Sequence, residues 1–458
     1  MNAALPGWIG GGRVERGLRR LGPTGRQGVV SVLDRLIVAG TNFLTLVIVG
    51  RAAGVEALGV FALAWTAILA VTALQEAFVH SPYTVHVNAL PEGAARRCYG
   101  GAAATLQALT ALVAALAAGL AALALHTSDP APGTSAALGT GAALALVLAF
   151  PAAGLREFAR RFLFARMETF AVIVLDATFS FLQLGGLLLL ALTGTVTPAA
   201  ALLIMAGSSL LPAVAWWTLK GRHLIARPGA EELRTAFWRH ARFGRWLGAG
   251  QMADLAVTHG VTWLLAALVG TAATGLFAAA NSLVLVVNPL ILGLGSVLLP
   301  RAARARHERG GAEVGRIVWK VTALLTAAVA LVTLVVVLAG PSLVALLYAL
   351  DPSRTIVLTV LLLALANLAG AASFAIDNGL MVVERQDVNF AASIIGLVVT
   401  FALALLLVPV WGVVGMAASV LGGTLLNALF QFAAFSRLVA PPPGPFARIA
   451  APFVRDRP

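Results

Sequence analysis

The sequence predicts an all-α polytopic membrane protein with about twelve transmembrane helices, arranged as two pseudo-symmetric six-helix lobes. Composition is the first observation behind this prediction. Of the 458 residues, 60% are hydrophobic and only 11% are charged, whereas a soluble domain carries about a quarter charged residues. The other two observations are the gathering of basic residues in alternate loops and a repeat between the two halves of the chain.

Apolar blocks of about 20 residues recur along the chain, and each is long enough to cross a hydrocarbon core of about 30 Å as a helix. Backbone polar groups find no partners in lipid, and no block alternates like a barrel strand, so helices are expected. The twelve predicted spans lie near residues 31–50, 57–80, 100–126, 136–155, 170–193, 198–219, 246–269, 275–300, 318–340, 355–376, 390–410 and 413–436.

The basic residues lie almost entirely on one side of these spans. Of the 32 Lys and Arg residues, 30 fall in or beside the two tails and the loops after even-numbered spans, and only Arg51 and Arg354 fall on the other side. The positive-inside rule therefore places both termini in the cytoplasm. This distribution also explains the net charge of +13 without a nucleic-acid partner, because no phosphate-tracking patch with interleaved aromatic residues is visible.

Several other classes of function are excluded by what the chain lacks. Cys98 is the single cysteine and the seven histidines show no metal-ligand spacing, so no disulfide, metal or other cofactor is predicted. The loops opposite the basic side are too short for a catalytic site, and no glycine-rich nucleotide loop is present, so the chain is predicted not to be an enzyme. Residues 1–30 have no apolar core with a cleavage site, which indicates a basic cytoplasmic tail or, alternatively, an amphipathic strip on anionic lipid.

The two halves repeat one another. The phrase "DRLIVAGTNFLTLVIVGRAA" begins at Asp34 and "DLAVTHGVTWLLAALVGTAA" at Asp254, and "GVFALA" at residue 59 returns 216 positions later as "GLFAAA". The alternative is a coincidence of an Ala- and Leu-rich composition, but the chain has only eight Asp residues. An even number of spans per half gives both halves the same orientation. The predicted domains are a basic tail (1–30), two lobes (31–219 and 246–436), a cytoplasmic linker (220–245) and a cytoplasmic Pro-rich tail (437–458).

Polar residues on the spans that face the gap between the halves are the candidate cavity residues. On most of these spans they recur at three-, four- or seven-residue spacing, which is one helical face. For many of them, the alternative to a cavity role is helix packing through hydrogen bonds. For Asp34 and Arg35, the alternative is an ordinary ion pair at the end of a helix. Asp254 and Glu76 lie deeper, where an ionisable group costs roughly 2.5–3.5 kcal/mol and is expected to face a wet cavity or a partner. The candidates are Asp34, Arg35, Asn42, Thr72, Glu76, His80, Gln251, Asp254, Thr258, Asn281 and Asn288.

Four phrases carry a family resemblance: "VGRAAGVEALGVFALAWT", "GLFAAANSLVLVVNPLILGLGSVLLPRAAR", "DNGLMVVERQDVNFAASIIGLVVTFALALLLVP" and "LVPVWGVVGMAASVLGGT". Over about residues 30–436 the chain resembles the polysaccharide transporter (O-antigen flippase-like) branch of the multidrug/oligosaccharidyl-lipid/polysaccharide exporter superfamily. The resemblance implies a V-shaped bundle that works by alternating access and carries a lipid-linked sugar between leaflets. It also implies basic groups for a lipid pyrophosphate, for which Arg35, Arg156 and Arg160 are the candidates. Topology alone is the alternative reason for the loop arginines.

The leading hypothesis is a flippase for a polyprenyl-diphosphate-linked oligosaccharide in the bacterial inner membrane, with glycan polymerases or glycosyltransferases as candidate partners. The alternatives are a cation-coupled antiporter that exports amphiphilic small molecules, and a membrane scaffold or enzyme subunit without transport. A carboxylate that loses water on closure could carry the coupling proton. Arg35 stands beside Asp34, whereas Leu255 holds the matching place beside Asp254. Asp254 is therefore predicted to titrate, and Asp34 with Arg35 to hold the substrate head.

Overall fold

The structure, a computed structural model, describes residues 23–127, 139–288 and 311–438, together with residues 291, 298, 302, 304–306 and 308. Regular structure in these ranges is helical, which confirms the predicted all-α class. A π-helical turn over Glu76–His80 joins α1 to α2, and a 3₁₀ turn over Gly221–His223 follows α6. Most of both predicted tails and the second half of the predicted span 275–300 lie outside the described residues. The helices are α1 (Pro23–Gln75), α2 (Ser81–Val87), α3 (Ala94–Thr127), α4 (Thr140–Ala165), α5 (Thr169–Leu192), α6 (Pro198–Leu219), α7 (Ala230–Thr258), α8 (Gly260–Leu268), α9 (Thr271–Leu285), α10 (Gly311–Tyr348), α11 (Arg354–Val382) and α12 (Gln386–Leu438).

Two of these helices are long enough to cross a membrane twice. α1 bends at Gly54 (φ 85°, ψ 176°) and α12 bends at Gly412 (φ 54°, ψ −125°), and both conformations are unfavourable for a residue with a side chain. In the described part of the chain, 8 helices are long and apolar enough to span a bilayer. Dividing the two long helices at their bends, and adding the α7–α8 pair and the shorter apolar helix α9, gives about twelve spans as predicted.

The backbone repeats between the halves at three turns. Positive φ angles recur in pairs about 217 residues apart: Gly54 with Gly270, Met167 with Glu384, and Gly194 with Gly412. Met167 and Glu384 adopt φ near +60°, which side chains rarely allow, so an apolar composition does not explain this agreement. The two halves are two pseudo-symmetric lobes, lobe 1 with α1–α6 and lobe 2 with α7–α12. We call the end of the bundle that holds turns 88–93, 166–168 and 383–385 the basic end, and the opposite end the short-loop end.

The phrase repeated in the sequence lies where the lobes cross. The second half of α1 packs against α9, with Gly59 against the carbonyl of Thr271 and Gly275 against the carbonyl of Val55. Val55 and Thr271 are themselves 216 residues apart, so a pseudo-two-fold axis relates the two contacts. A Cβ added at either glycine would overlap a carbonyl oxygen. The phrase therefore recurs because each copy supplies one side of a close helix crossing.

Further contacts join the lobes near this crossing. The Trp263 indole N–H donates to Thr66 Oγ1 at 2.8 Å, and the Tyr348 ring lies against Gly50. The guanidinium of Arg51 donates to the carbonyl of Leu346, near the C-terminal end of α10, where the helix dipole favours a positive charge. One of the two basic residues on the short-loop side thus has a structural contact of its own.

The predicted linker forms the start of a helix that packs on lobe 1. His240 on α7 accepts a hydrogen bond from the Tyr99 hydroxyl at Nε2 (2.8 Å) and donates from Nδ1 to the carbonyl of Phe78 (3.0 Å). In a regular helix the carbonyl of Phe78 would accept a hydrogen bond from the N–H of residue 82, but Pro82 has no N–H. Pro82, which follows the π-helical turn, therefore leaves the carbonyl of Phe78 free to accept a hydrogen bond from the linker helix.

Candidate functional site

Four charged residues lie on one face of α4. Arg156, Glu157, Arg160 and Arg161 stand at one- and four-residue spacings, so their side chains project in nearly the same direction. The sequence predicts that this span ends at residue 155, but the helix continues to Ala165. The continuation brings these residues, which resemble loop charges in the sequence, into the bundle.

Asp176 on α5 is the central acceptor of the cluster. Both oxygens are used: Arg156 reaches Oδ1 from Nη2 at 3.0 Å, and Arg160 Nε reaches Oδ2 at 2.6 Å. The Asp176 side chain is fully buried. An isolated buried carboxylate would be very costly, whereas a carboxylate held by two guanidinium groups is compensated.

Arg160 joins three helices. In addition to Asp176, it contacts Asp34 Oδ2 on α1 from Nη2 at 3.0 Å and Glu157 Oε2 on its own helix from Nη1 at 2.8 Å. Asp34 is buried and Arg35 is exposed. The structure therefore pairs Asp34 with Arg160 and directs it into lobe 1, whereas a pair with Arg35 at the gap between lobes was expected from the sequence.

The network extends to the π-helical turn. Arg161 Nε lies 3.0 Å from Glu157 Oε1 and 3.1 Å from Glu76 Oε2. Glu76 also accepts from Ser81 Oγ at 2.7 Å and contacts His80 Nδ1 at 3.2 Å. The other ring nitrogen of His80 lies 3.0 Å from Gln107 Oε1 on α3. Wide turns of this kind frequently occur at functional sites.

A cavity of about 390 Å³, the lobe-1 cavity, lies beside this network. It is bounded by α1, α4, α5, α6 and the π-helical turn on the lobe-1 side, and by Leu255 and His259 from lobe 2. Its volume lies within the range of small-ligand sites, about 300–1,000 Å³. The polar and charged residues that line it are Asn42, Thr72, Glu76, Arg156, Glu157, Arg160, Arg161, Ser209 and His259.

The charges at this cavity are nearly balanced. Four carboxylates (Asp34, Glu76, Glu157, Asp176) face three guanidinium groups, with His80 in contact with Glu76. The side chain of Arg161 is 41% exposed, compared with 17% for Arg160 and 13% for Arg156. Arg156 is further held over the Phe179 ring, 3.5 Å from its centroid. Arg161 is thus the guanidinium best placed to meet an anion, whereas Arg156 and Arg160 are less exposed and are both held by Asp176.

The structure brings together the lobe-1 candidates from the sequence except Arg35, which is exposed and is not among the described residues that line the cavity. It also adds partners that the sequence did not reveal. Asn42, Thr72, Glu76, Arg156 and Arg160 line the cavity, and Asp34 and His80 belong to the network behind it. The missed members were Glu157, Arg161, Asp176 and Gln107. Asp176 carried a usable signal, because an acidic residue in the middle of an apolar span is expected to have a partner.

The lobe-2 candidates are more scattered. Asn281 and Asn288 are half-buried, Thr258 is exposed, and Gln251 has a buried Oε1 without a hydrogen-bond partner among the described residues. None of these four is among the described residues that line the lobe-1 cavity. Asp254 lies on α7, but its side chain is outside the described part of the structure. These assignments remain predictions.

Comparison with known proteins supports the fold. No protein-family model matches the sequence, and no curated protein does. Solved transporter structures match over most of the chain. An inward-facing multidrug resistance MATE family transporter of the MOP superfamily matches with a TM-score of 0.71 and 14% identity, over 88% of this chain and 97% of that one. The lipid II flippase MurJ, in an inward closed conformation, matches with a TM-score of 0.72 and 11% identity, over 93% of this chain and 90% of that one.

A third structure, a MOP superfamily transporter from Pyrococcus furiosus, matches with a TM-score of 0.60 and 15% identity, over 90% of this chain and 96% of that one. The chain has the fold of the MOP-superfamily transporters. The matched structures include both a lipid II flippase and multidrug transporters. The fold alone therefore does not separate the two transport hypotheses drawn from the sequence.

Proposed function

We propose that the protein is a flippase that moves a polyprenyl-diphosphate-linked oligosaccharide across the bacterial inner membrane, for surface-glycan or exopolysaccharide synthesis. The observation that carries the proposal is the row of three arginines on α4 beside a cavity bounded by both lobes. Guanidinium groups bind phosphate oxygens in bidentate geometry, which suits a diphosphate. MurJ, which shares this fold, is a flippase for lipid II.

The carboxylates around the arginines support a cycle of exchange. A buried guanidinium without a counterion is strongly destabilised, so an empty anion site needs internal acceptors. Arg161 contacts Glu157 and Glu76 in the structure. An arriving diphosphate takes over the donors of Arg161, while Glu157 keeps Arg160 and Glu76 keeps His80 and Ser81 as partners. After release of the diphosphate, both carboxylates pair with Arg161 again.

The orientation and the domain organisation complete the proposal. The basic end faces the cytoplasm, where the lipid-linked glycan is made, with both termini on that side. Lobes 31–219 and 246–436 rock about their crossing, and the linker 220–245 stays with lobe 1 through His240. Glycosyltransferases before the flippase and a glycan polymerase after it are the partners that such a substrate requires.

Coupling to a proton through Asp254 remains part of the proposal. Leu255, on the helix that carries Asp254, and His259, which follows that helix, both line the lobe-1 cavity. The first helix, α7, ends at Thr258 before α8 begins at Gly260. A helix interrupted beside a cavity suits a position that changes its exposure to water. We expect Asp254→Asn to abolish transport at normal abundance; full complementation of a deletion strain by this variant would show that the carboxylate has no coupling role.

The decisive experiment for the flippase function is lipid analysis of a deletion strain. We expect glycan-loaded polyprenyl diphosphate to accumulate while surface glycan is lost, with both restored by the wild-type gene. Arg35→Ala should weaken handling of the anionic head more than Arg354→Ala, which lies at the opposite end of the bundle. Normal lipid carrier and normal surface glycan in the deletion strain would contradict the proposal.

A cation-coupled antiporter for amphiphilic small molecules is the second candidate. One observation favours it: four carboxylates outnumber three guanidinium groups in the lobe-1 network, which suits a cationic substrate. Drug hypersensitivity on deletion, with an unchanged glycan, is the result that would establish this function instead.

A further inference from the structure

Lobe 2 holds a second cavity, the lobe-2 cavity, of about 420 Å³ between α11 and the two halves of α12. It lies toward the basic end, close to the turn at 383–385. Its wall on α11 is equivalent to the wall that α4 gives to the lobe-1 cavity. With the 217-residue offset of Met167 and Glu384, Ser373 corresponds to Arg156, Asp377 to Arg160 and Ser393 to Asp176. All three of these lobe-2 residues line the second cavity.

The chemistry of the lobe-2 cavity differs from that of its counterpart. Its polar lining consists of amides and hydroxyls with one carboxylate, and none of the described residues that line it is Arg, Lys or His. Asn427 stands where lobe 1 has Ser209, 218 residues earlier. Asn389 donates from Nδ2 to the carbonyl of Asp377 at 3.0 Å, which fixes the amide at the cavity wall.

Buried polar atoms in this cavity lack full hydrogen bonding within the described structure. Gln431 is only 4% exposed, and its Nε2 lies at 3.4 Å from both Asp377 Oδ1 and Asn389 Oδ1, which are long contacts. Gln431 Oε1 and Asn427 Oδ1 are buried and have no hydrogen-bond partner among the residues that the structure describes. Each such atom costs about 1–3 kcal/mol unless a ligand or water bonds it. Both residues line the cavity, so rotation of their amide groups toward it would let a bound hydrogen-bonding molecule satisfy these two acceptors.

The donor and acceptor set indicates the class of that molecule. A carboxamide both donates and accepts, as does a hydroxyl group, so a wall of amides matches a polyhydroxylated ligand. Phe390, with 61% of its surface exposed, lies at the same cavity and offers a flat apolar face to sugar C–H groups. A diphosphate would find no positive charge among the lining residues described, so the anionic head belongs elsewhere.

We propose that the lobe-2 cavity binds the neutral glycan portion of the substrate, while the arginines of lobe 1 hold the diphosphate. This inference rests on the proposed flippase function and adds to it a sugar-binding site. Two equivalent positions in a duplicated fold then hold two chemically different parts of one amphiphile. Release requires the lobes to move apart, which is what a rocking transporter does.

The test uses the full-length protein in lipid nanodiscs and two probes: a polyprenyl diphosphate that carries an N-acetylhexosamine disaccharide, and the same polyprenyl diphosphate without sugar. Dissociation constants are measured for wild type, Gln431→Leu and Phe390→Leu. The matched control is Ser436→Ala, a fully buried residue of the same helix whose hydroxyl bonds its own backbone at Phe432. We expect wild type to bind the glycosylated probe about tenfold more tightly, and each cavity variant to lose most of that preference while it retains affinity for the bare probe.

Each outcome decides between this inference and the function on which it rests. Equal binding of both probes by wild type, or equal weakening of both by the cavity variants, overturns the lobe-2 sugar site and leaves the flippase function intact. A variant that changes only the dependence of binding on sodium, with its sugar preference unchanged, identifies a cation site instead. Wild type that binds neither lipid overturns the flippase function and the sugar site together. Phe390→Leu, at the exposed rim, keeps the test informative if Gln431→Leu does not fold.

Discussion

The two cavities, whose walls on α4 and α11 occupy equivalent places in the two lobes, differ in whether their polar groups have hydrogen-bond or ion-pair partners. In lobe 1, Arg156 and Arg160 share the buried carboxylate of Asp176, and the ionised groups neutralise one another. In lobe 2, Ser373 and Ser393 occupy two of the three equivalent positions, and two amide oxygens have no partner within the described part of the chain. Helix geometry is retained across the repeat, since the turns at Met167 and Glu384 have nearly identical φ. A duplicated scaffold can therefore keep its packing while its two copies acquire different ligand chemistry.

The largest expected difference in stability between the two lobes follows from substitution of Asp176. Asp176→Asn removes the charge that two side chains share, and leaving a buried charge unpaired costs about 3–5 kcal/mol. We expect a large loss of folded protein, measured as monodisperse yield and melting temperature in detergent. Ser393→Ala, at the equivalent position of lobe 2, should change stability by less than about 1 kcal/mol. Equal effects at the two positions would contradict the view that only lobe 1 depends on an internal ion network.

The docking of the linker helix on lobe 1 should depend on pH. Burial lowers the pKa of His240 to about 4, compared with an ordinary value near 6.5. The undocked state therefore binds more protons between these values, so docking is strongest above pH 6.5 and weakens as pH falls toward 4. The loss is about 2 kcal/mol at pH 5. Hydrogen exchange of residues 230–245, compared at pH 7 and pH 5 after correction for intrinsic rates, should show this opening.

Two variants sharpen the pH prediction. His240→Gln should remove most of the pH dependence, whereas the exposed His126→Gln should leave it unchanged. If hydrogen exchange of residues 230–245 still depends on pH in His240→Gln, another titratable group causes that dependence.

Substitutions at the lobe crossing should destabilise the protein less, and by equal amounts at its two glycines. Gly59→Ala and Gly275→Ala should each destabilise the crossing by about 1–3 kcal/mol, because the new methyl group overlaps a carbonyl oxygen of the other lobe. Gly40→Ala is the matched control, since nothing lies within 4 Å of the Cβ it would add; it should be neutral or slightly stabilising through helix propensity. Melting temperature and transport rate check both. A clear difference between Gly59 and Gly275 would contradict the pseudo-two-fold relation of the two contacts.

The fold was predictable from the sequence because it depends on local properties. Apolar length, loop charge and the repeat between the two halves were each visible without any knowledge of contacts. The repeated Gly-x-Phe-Ala phrase indicated duplication, although its place at the lobe crossing became visible only when Gly59 and Thr271 could be seen together. The φ angles at Met167 and Glu384 could not be predicted, since neither residue type favours that conformation.

The site was predictable only in part, because its partners are far apart in sequence. Thr72 and Glu76 were found from helical spacing and Asn42 as a polar residue on the first span, but the pairing of Asp34 with Arg160 spans 126 residues. The proximity of Arg35 in sequence suggested the wrong partner for Asp34. Arg161 was missed as a site residue because positive-inside topology already accounted for it. In lobe 2, amides such as Gln431 gave no signal, because uncharged polar residues in a span also serve helix packing.

The smallest expected effect tests the division of roles between the cavities. Arg161→Ala removes the most exposed guanidinium of the network. We expect about a tenfold loss of affinity for the bare polyprenyl diphosphate. A charged hydrogen bond to phosphate contributes about 1.5–3 kcal/mol, and part of that is offset because the substitution also frees Glu76 and Glu157. Asn378→Ala, 217 residues later at the equivalent position of lobe 2, removes an amide that donates to its own helix at Phe374 and should leave this affinity unchanged. Arg161→Lys keeps the charge but loses the planar fork, so partial retention of binding is expected. If Arg161→Ala binds the diphosphate as wild type does, while Asn378→Ala does not, the anionic head is held by lobe 2 and the assignment of the two cavities must be exchanged.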